Sequence, residues 1–235
     1  MNIPDGRTIL FWILQFAVQC VNTLLQLCLK FKSCAEYKNQ VKVYKVLWRH
    51  KTPERLDFSR MKDFLCVFER LTHPEVVLND EYSLYCITPD EAVFVHCGCH
   101  DVFNSSHHAF VYNAQFALAQ QVVVLPMSTF HKIASNIHLP DIPLVHLPNH
   151  GRCGSTLLTR MFEAIPGALS VSETNAFTDL ASLSQRGEVV RDVLRDMCRG
   201  VIMFTVKHCN SRNATVMFIK LQVIVIPLLL LSFGG

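Results

Sequence analysis

The sequence predicts an α/β chain, a partial three-layer parallel sheet preceded by an N-terminal helical and β-hairpin region. Three observations lead there. Half of the 235 residues are apolar, enough to bury a substantial core. From about Val122 the texture alternates: apolar or β-branched runs at Val122 to Leu125 and Leu144 to Leu147 are interleaved with helical stretches at Ser128 to Ile137 and from about Ser155. Such alternation implies parallel strands joined by crossover helices. Breaks at Pro140, Pro143, Pro166 and Gly167 separate the elements.

At the N-terminus, Ile9 to Leu29 has about the length of a membrane span, but Gln15, Gln19, Asn22 and Gln26 recur at steps of four, three and four. A lone helix in lipid would bury that amide stripe without partners. An interfacial or protein-packed amphipathic helix therefore competes with a signal anchor, and both readings stand. Lys30, Lys32, Lys38, Lys42 and Lys45 come next, and the positive-inside rule would hold the remainder on the cytoplasmic side. The expected location is membrane-associated, with the Golgi and cytoplasmic sides both open.

Phe58, Met61, Phe64, Leu65, Phe68 and Leu71 repeat at three to four and predict a helix from Asp57. Tyr82 to Ile87 and Ala92 to His96 read as a hairpin across Thr88, Pro89 and Asp90. Further on, Val189, Val190, Val193, Leu194 and Met197 share a helical face, Gly200 can end that helix, and Val201 to Val206 supplies another strand. Val216 to Phe233, apolar except for Lys220, Gln222 and Ser232, reads as an apolar C-terminal tail, either a tail span or an out-of-place terminus. The resulting organisation is 1–40 apolar helix, 41–121 helical and hairpin region, 122–215 α/β region and 216–235 tail.

Composition excludes some functions. The formal charge of +3 is spread along the chain without basic blocks, so nucleic acid is not the expected partner. The ten cysteines form no CxxC pair and no disulfide framework, and most are expected to be buried thiols. His96, Cys97, Cys99 and His100 resemble metal ligands, but strand alternation throws His and Cys to opposite faces. No metal is expected.

The chemistry lies between Leu144 and Phe177. A short strand enters a loop containing Gly151, Arg152, Cys153 and Gly154, after which Ser155 and Thr156 open an apolar-faced helix. Such a loop is an anion cradle. Glycines allow close backbone approach, first-turn amides and the helix dipole favour negative charge, and hydroxyls add donors. Arg152 adds a forked cation. A Walker loop would need a lysine just before the Ser or Thr, where this chain has Gly154.

Arg152, Gly154, Ser155 and Thr156 in this order resemble the 5′-phosphosulfate loop of sulfotransferases, especially the Golgi carbohydrate and protein-tyrosine types. The resemblance continues through the Leu-rich helix and the Pro166 and Gly167 turn to Glu173, about a seventh of the chain. It implies a P-loop-like fold and 3′-phosphoadenylyl sulfate (PAPS) as co-substrate, with sulfonate passing to a hydroxyl acceptor. Backbone and hydroxyl donors of Gly151, Cys153, Gly154, Ser155 and Thr156 would hold the phosphosulfate. Arg152 would neutralise developing charge and Glu173 would act as base. Two plainer readings stand beside these: Ser155 and Thr156 as a helix N-cap pair, and Glu173 as a solvated neighbour of the next helix's cap. Cys153 sits where the family usually has Ser. The family's 3′-phosphate arm, an arginine after a later strand and a serine beyond it, has no counterpart here. A truncated family member with little activity is the expectation, and a non-catalytic interaction or membrane-associated protein that keeps the loop as a fold element is the alternative.

Overall fold

The computed structural model describes residues 5–32, 40–51, 59–106, 108–138, 141–148, 153–222 and 225. Two sheets organise them. The first is antiparallel throughout, with strand order β2-β1-β5-β4-β3 for β1 (Val41–Arg49), β2 (Phe64–Thr72), β3 (Tyr82–Ile87), β4 (Glu91–His96) and β5 (Gln121–Pro126). The second is parallel, with order β6-β8-β7 for β6 (Leu144–Pro148), β7 (Ala168–Ser172) and β8 (Val216–Leu221). The chain is thus mixed α/β, and its parallel sheet has three strands.

The β3–β4 hairpin forms where the turn residues place it. Five other expectations are corrected. Phe64 to Leu71 is strand β2, not helix, because its residues pair antiparallel with β1 along their length. Val122 to Leu125 belongs to β5 of the antiparallel sheet, between β1 and β4, and so is not the first parallel strand. Val201 to Val206 lies inside one long helix, α6 (Arg191–Ser211). Gly200 therefore does not end the helix. It sits mid-helix against the Phe130 ring, where an added Cβ would come within 2.3 Å of Phe130 Cε1. Val216 to Leu221 is the central strand of the parallel sheet, with Met217, Ile219, Lys220 and Leu221 buried.

Between and around the sheets lie α2 (Val111–Leu118), α3 (Met127–Ala134), α4 (Ser155–Glu163), α5 (Asn175–Arg186) and α6. Phe94 of β4, Phe130 of α3 and Phe204 of α6 meet with ring centroids 4.7 to 6.3 Å apart, all fully buried. Burying each such side chain contributes about 1.5–3 kcal/mol. Asp179 of α5 ties the parts together by accepting from the Ile87 amide of β3 at 3.0 Å and from the Arg60 guanidinium. Burial pushes the Asp179 carboxyl up to about 6, against the pull of Arg60. Of the eight cysteines whose side chains are described, five are buried, and burial pushes the Cys66 and Cys97 thiols up to about 12. They act as inert core groups.

The N-terminal helix α1 (Gly6–Lys32) starts at a cap in which the Asp5 carboxylate accepts from the Thr8 amide at 2.7 Å. Its amide stripe turns inward onto β2, an edge strand. Gln15 Nε2 donates to the Lys62 and Phe64 carbonyls at 3.0 and 3.3 Å, Asn22 Nδ2 donates to the Cys66 carbonyl at 2.9 Å, and Asn22 Oδ1 accepts from the Phe68 amide at 2.8 Å. Carboxamides thereby take the place of a further strand and cover an edge that would otherwise offer unpaired backbone groups. The amide stripe thus packs on protein, while Gly6–Leu27 as a whole is long and apolar enough to cross a membrane.

Candidate functional site

Parallel strands deliver their carboxyl ends to one edge, and in open α/β sheets ligands bind at that edge. Here β8 separates β6 from β7, with Pro148 in register with Leu221 and Ser172 with Lys220. The segments leaving β6 and β7 and the end of β8 are therefore neighbours. Glu173, the residue after β7, adopts φ 54°, a left-handed conformation uncommon outside glycine. Its amide donates to the Lys220 carbonyl at 3.0 Å, extending the ladder by one residue. The turn swings the carboxylate over the strand end.

Lys220 comes up from β8 to meet it. Its Nζ lies 2.8 Å from Glu173 Oε1, 3.4 Å from Thr156 Oγ1 and 4.8 Å from the centre of the Phe110 ring. The Lys220 side chain is 2% exposed and that of Glu173 12%. Taking an ammonium and a carboxylate out of water costs several kcal/mol per ion, and close pairing offsets much of it. The aromatic face of Phe110 adds a weaker attraction. Ser172 Oγ and Thr174 Oγ1, both buried, bracket Glu173 and have no hydrogen-bond partner among the described residues.

The third component is the start of α4. Gly154 is its N-cap, with φ 80°, and an added Cβ there would meet nothing within 4 Å, so glycine answers the conformation rather than crowding. Ser155 and Thr156 are thus the first two helical residues, not the cap pair. Their amides belong to the first turn, which no intrahelical carbonyl serves. Phe162, further along α4, stacks on Phe218 of β8 with centroids 3.7 Å apart, which fixes the helix over the sheet.

Among the sequence-predicted residues, Thr156 and Glu173 converge through Lys220, Gly154 and Ser155 stand at the same helix start, and Cys153 is exposed beside them. Gly151 and Arg152 lie outside the described residues. Glu173 does precede the cap residue of α5, Thr174, but it is mostly withdrawn from solvent and ion-paired with Lys220. Lys220 was missed by sequence reasoning. A lone lysine in an apolar run was its only signal.

Other candidates are engaged elsewhere. Arg212 forks onto both Asp101 oxygens at 2.9 and 2.7 Å, and Gln222, just past β8, accepts from Thr178 Oγ1 at 2.9 Å. His96 is bonded to Glu81 at 2.9 Å, Cys97 is buried and Cys99 exposed, so these groups do not converge. A cavity of about 600 Å³ opens not at the strand ends but between α1 and the first sheet, lined in part by Gln26, Lys42, Tyr44 and Lys62. The groups able to hold an anion and accept a proton lie at the strand ends, and they, rather than the cavity, define the candidate site. Compared with known proteins, the chain matches no family model, no curated protein and no solved structure.

Proposed function

We propose that the carboxyl edge of the parallel sheet binds the 5′-phosphosulfate of PAPS and transfers its sulfonate to a hydroxyl acceptor. The observation that carries this reading is the Lys220 ammonium set between Glu173 and Thr156 beside the first turn of α4. A cation and orphan amides suit a doubly anionic donor, and a carboxylate beside them suits removal of a proton.

The acceptor oxygen attacks sulfur, and Glu173 takes the hydroxyl proton. The bond from sulfur to the bridging phosphate oxygen breaks, leaving its electron pair on adenosine 3′,5′-bisphosphate. Gly151, Arg152, Cys153, Gly154, Ser155 and Thr156 would cradle the phosphosulfate, and Lys220 would turn from Glu173 toward the leaving oxygen as charge develops there. Positioning and charge stabilisation are the whole of the protein's task in such in-line transfers.

One observation favours a second reading, a non-catalytic protein in which this loop is a fold element. Lys220 and Glu173 already satisfy one another, as a structural closure would. Isothermal titration of the intact chain with PAPS and with adenosine 3′,5′-bisphosphate separates the two. Saturable heat that Lys220→Met weakens supports the transferase reading, and no heat at millimolar ligand supports the other.

A further inference from the structure

Helix α1 has two faces with different partners. The inner face is fastened to the β2 edge through Gln15 and Asn22. On the outer face Ile13, Phe16, Leu24 and Leu27 recur at helical spacing and are 60, 72, 62 and 46% exposed, with Trp12 half exposed beside them. This apolar stripe runs most of a helix about 40 Å long, at 1.5 Å per residue. No aspartate or glutamate occurs between Gly6 and Lys32, whereas Arg7 stands in the first turn, Lys30 and Lys32 in the last, and exposed Lys62 beside the helix.

We propose that the outer face of α1 docks the protein on an anionic lipid surface, the helix lying in the membrane plane while its amide stripe stays on β2. Charge selects this occupant. Residues 5–32 carry one acid, Asp5 at the cap, against Arg7, Lys30 and Lys32, so two copies of α1 would bring together segments that are both net positive. Anionic headgroups complement the net positive charge of this segment and the exposed Lys62 beside it, and the apolar stripe enters the acyl boundary by about 5–10 Å. Crossing the bilayer is the costlier alternative. It would pull Gln15 and Asn22 from Phe64, Cys66 and Phe68 and leave amides unpaired in lipid and on the sheet edge. This inference does not depend on the sulfonate-transfer reading.

The test floats the intact chain with phosphatidylcholine vesicles, with and without phosphatidylserine. Binding is expected with phosphatidylserine, and it should weaken in high salt. Ile13→Glu/Phe16→Glu should lower that binding by roughly a hundredfold or more, while Phe16→Leu retains it. Both altered positions face solvent, so the melting curve should hold; Leu24→Gln, a milder change on the same stripe, should lower binding less but measurably. Depth is read from Phe16→Trp in a Trp12→Phe/Trp48→Phe background. Lipids brominated near the glycerol end should quench it more than lipids brominated near the chain terminus. The reverse order would mean a spanning helix and overturn the proposal. Absence of flotation, with a concentration-dependent dimer abolished by Ile13→Glu/Phe16→Glu, would overturn it in favour of a second copy.

Discussion

The ammonium of Lys220 lies 2.8 Å from the carboxylate of Glu173, joining the end of the central parallel strand to the residue just past its neighbour. Both groups are largely buried, so each holds the other's place. Lys220→Met should take an ion-pair partner from the largely buried Glu173 carboxylate and destabilise the fold, by up to about 3–5 kcal/mol. Lys220→Met combined with Glu173→Gln should cost clearly less than the sum of the single changes. Urea unfolding of the four proteins measures the coupling, and strict additivity would mean the pair does not form.

Gly200→Ala should destabilise although alanine is the better helix former. Helix propensity favours alanine by about 1 kcal/mol, but the new methyl would sit 2.3 Å from Phe130 Cε1 in a filled aromatic cluster. Overpacking of that kind costs about 1–3 kcal/mol. A net loss of stability in denaturant titration is expected, and a gain would show that Phe130 has room to move.

Asn22→Leu should release α1 from the β2 edge. The change strands the Cys66 carbonyl and the Phe68 amide, at about 1–3 kcal/mol for a buried unsatisfied group. Hydrogen exchange at the Phe68 amide should quicken. Unchanged protection would mean that this edge does not need the helix.

Acid should weaken the fold through His208. Unfolded, its imidazole titrates near the ordinary 6.5; folded, burial lowers it to about 4, against the pull of Asp80 3.5 Å from Nδ1 and with Lys207 and Arg212 adding to the shift. Between those values the unfolded chain binds the extra proton, so this contribution is full above about pH 6.5 and lost as pH falls toward 4. At about 1.4 kcal/mol per unit the loss is roughly 3 kcal/mol. Asp80, held at about 2 chiefly by its contact with His208, adds a further loss below its ordinary 3.8. Asp179, raised to about 6, gains stability over the same range, so His208 is read as a difference: between pH 7 and 4 the parent should lose stability relative to His208→Gln.

The loop-bearing strand β6, helix α4 and the acid after β7 were legible because each carries a local signal: an apolar run, a Gly-Ser-Thr helix start and a Pro-Gly turn at fixed distance. Lys220 was not. A six-residue apolar run reads equally as tail or as buried parallel strand, and only the sheet order decides. Phe64 to Leu71 spaced its large residues at three to four and imitated a helix, while pairing with β1 made it a strand. Val201 to Val206 shows the converse, a β-branched run held in α6 by burial against α3 and β3. Gly200 was read as a stop because glycine weakens a helix interior, and the Phe130 ring that requires it lies 70 residues away in sequence.

The central claim is tested most directly by calorimetric titration of the intact chain with PAPS beside Arg152→Ala, Lys220→Met and Arg160→Ala, the last an exposed position one turn into α4. Removing a charge-assisted contact costs about 1.5–3 kcal/mol, so Arg152→Ala and Lys220→Met should each weaken binding roughly tenfold to a hundredfold, with Arg160→Ala close to the parent. Equal losses in all three variants, or no binding by the parent at millimolar PAPS, would contradict the account.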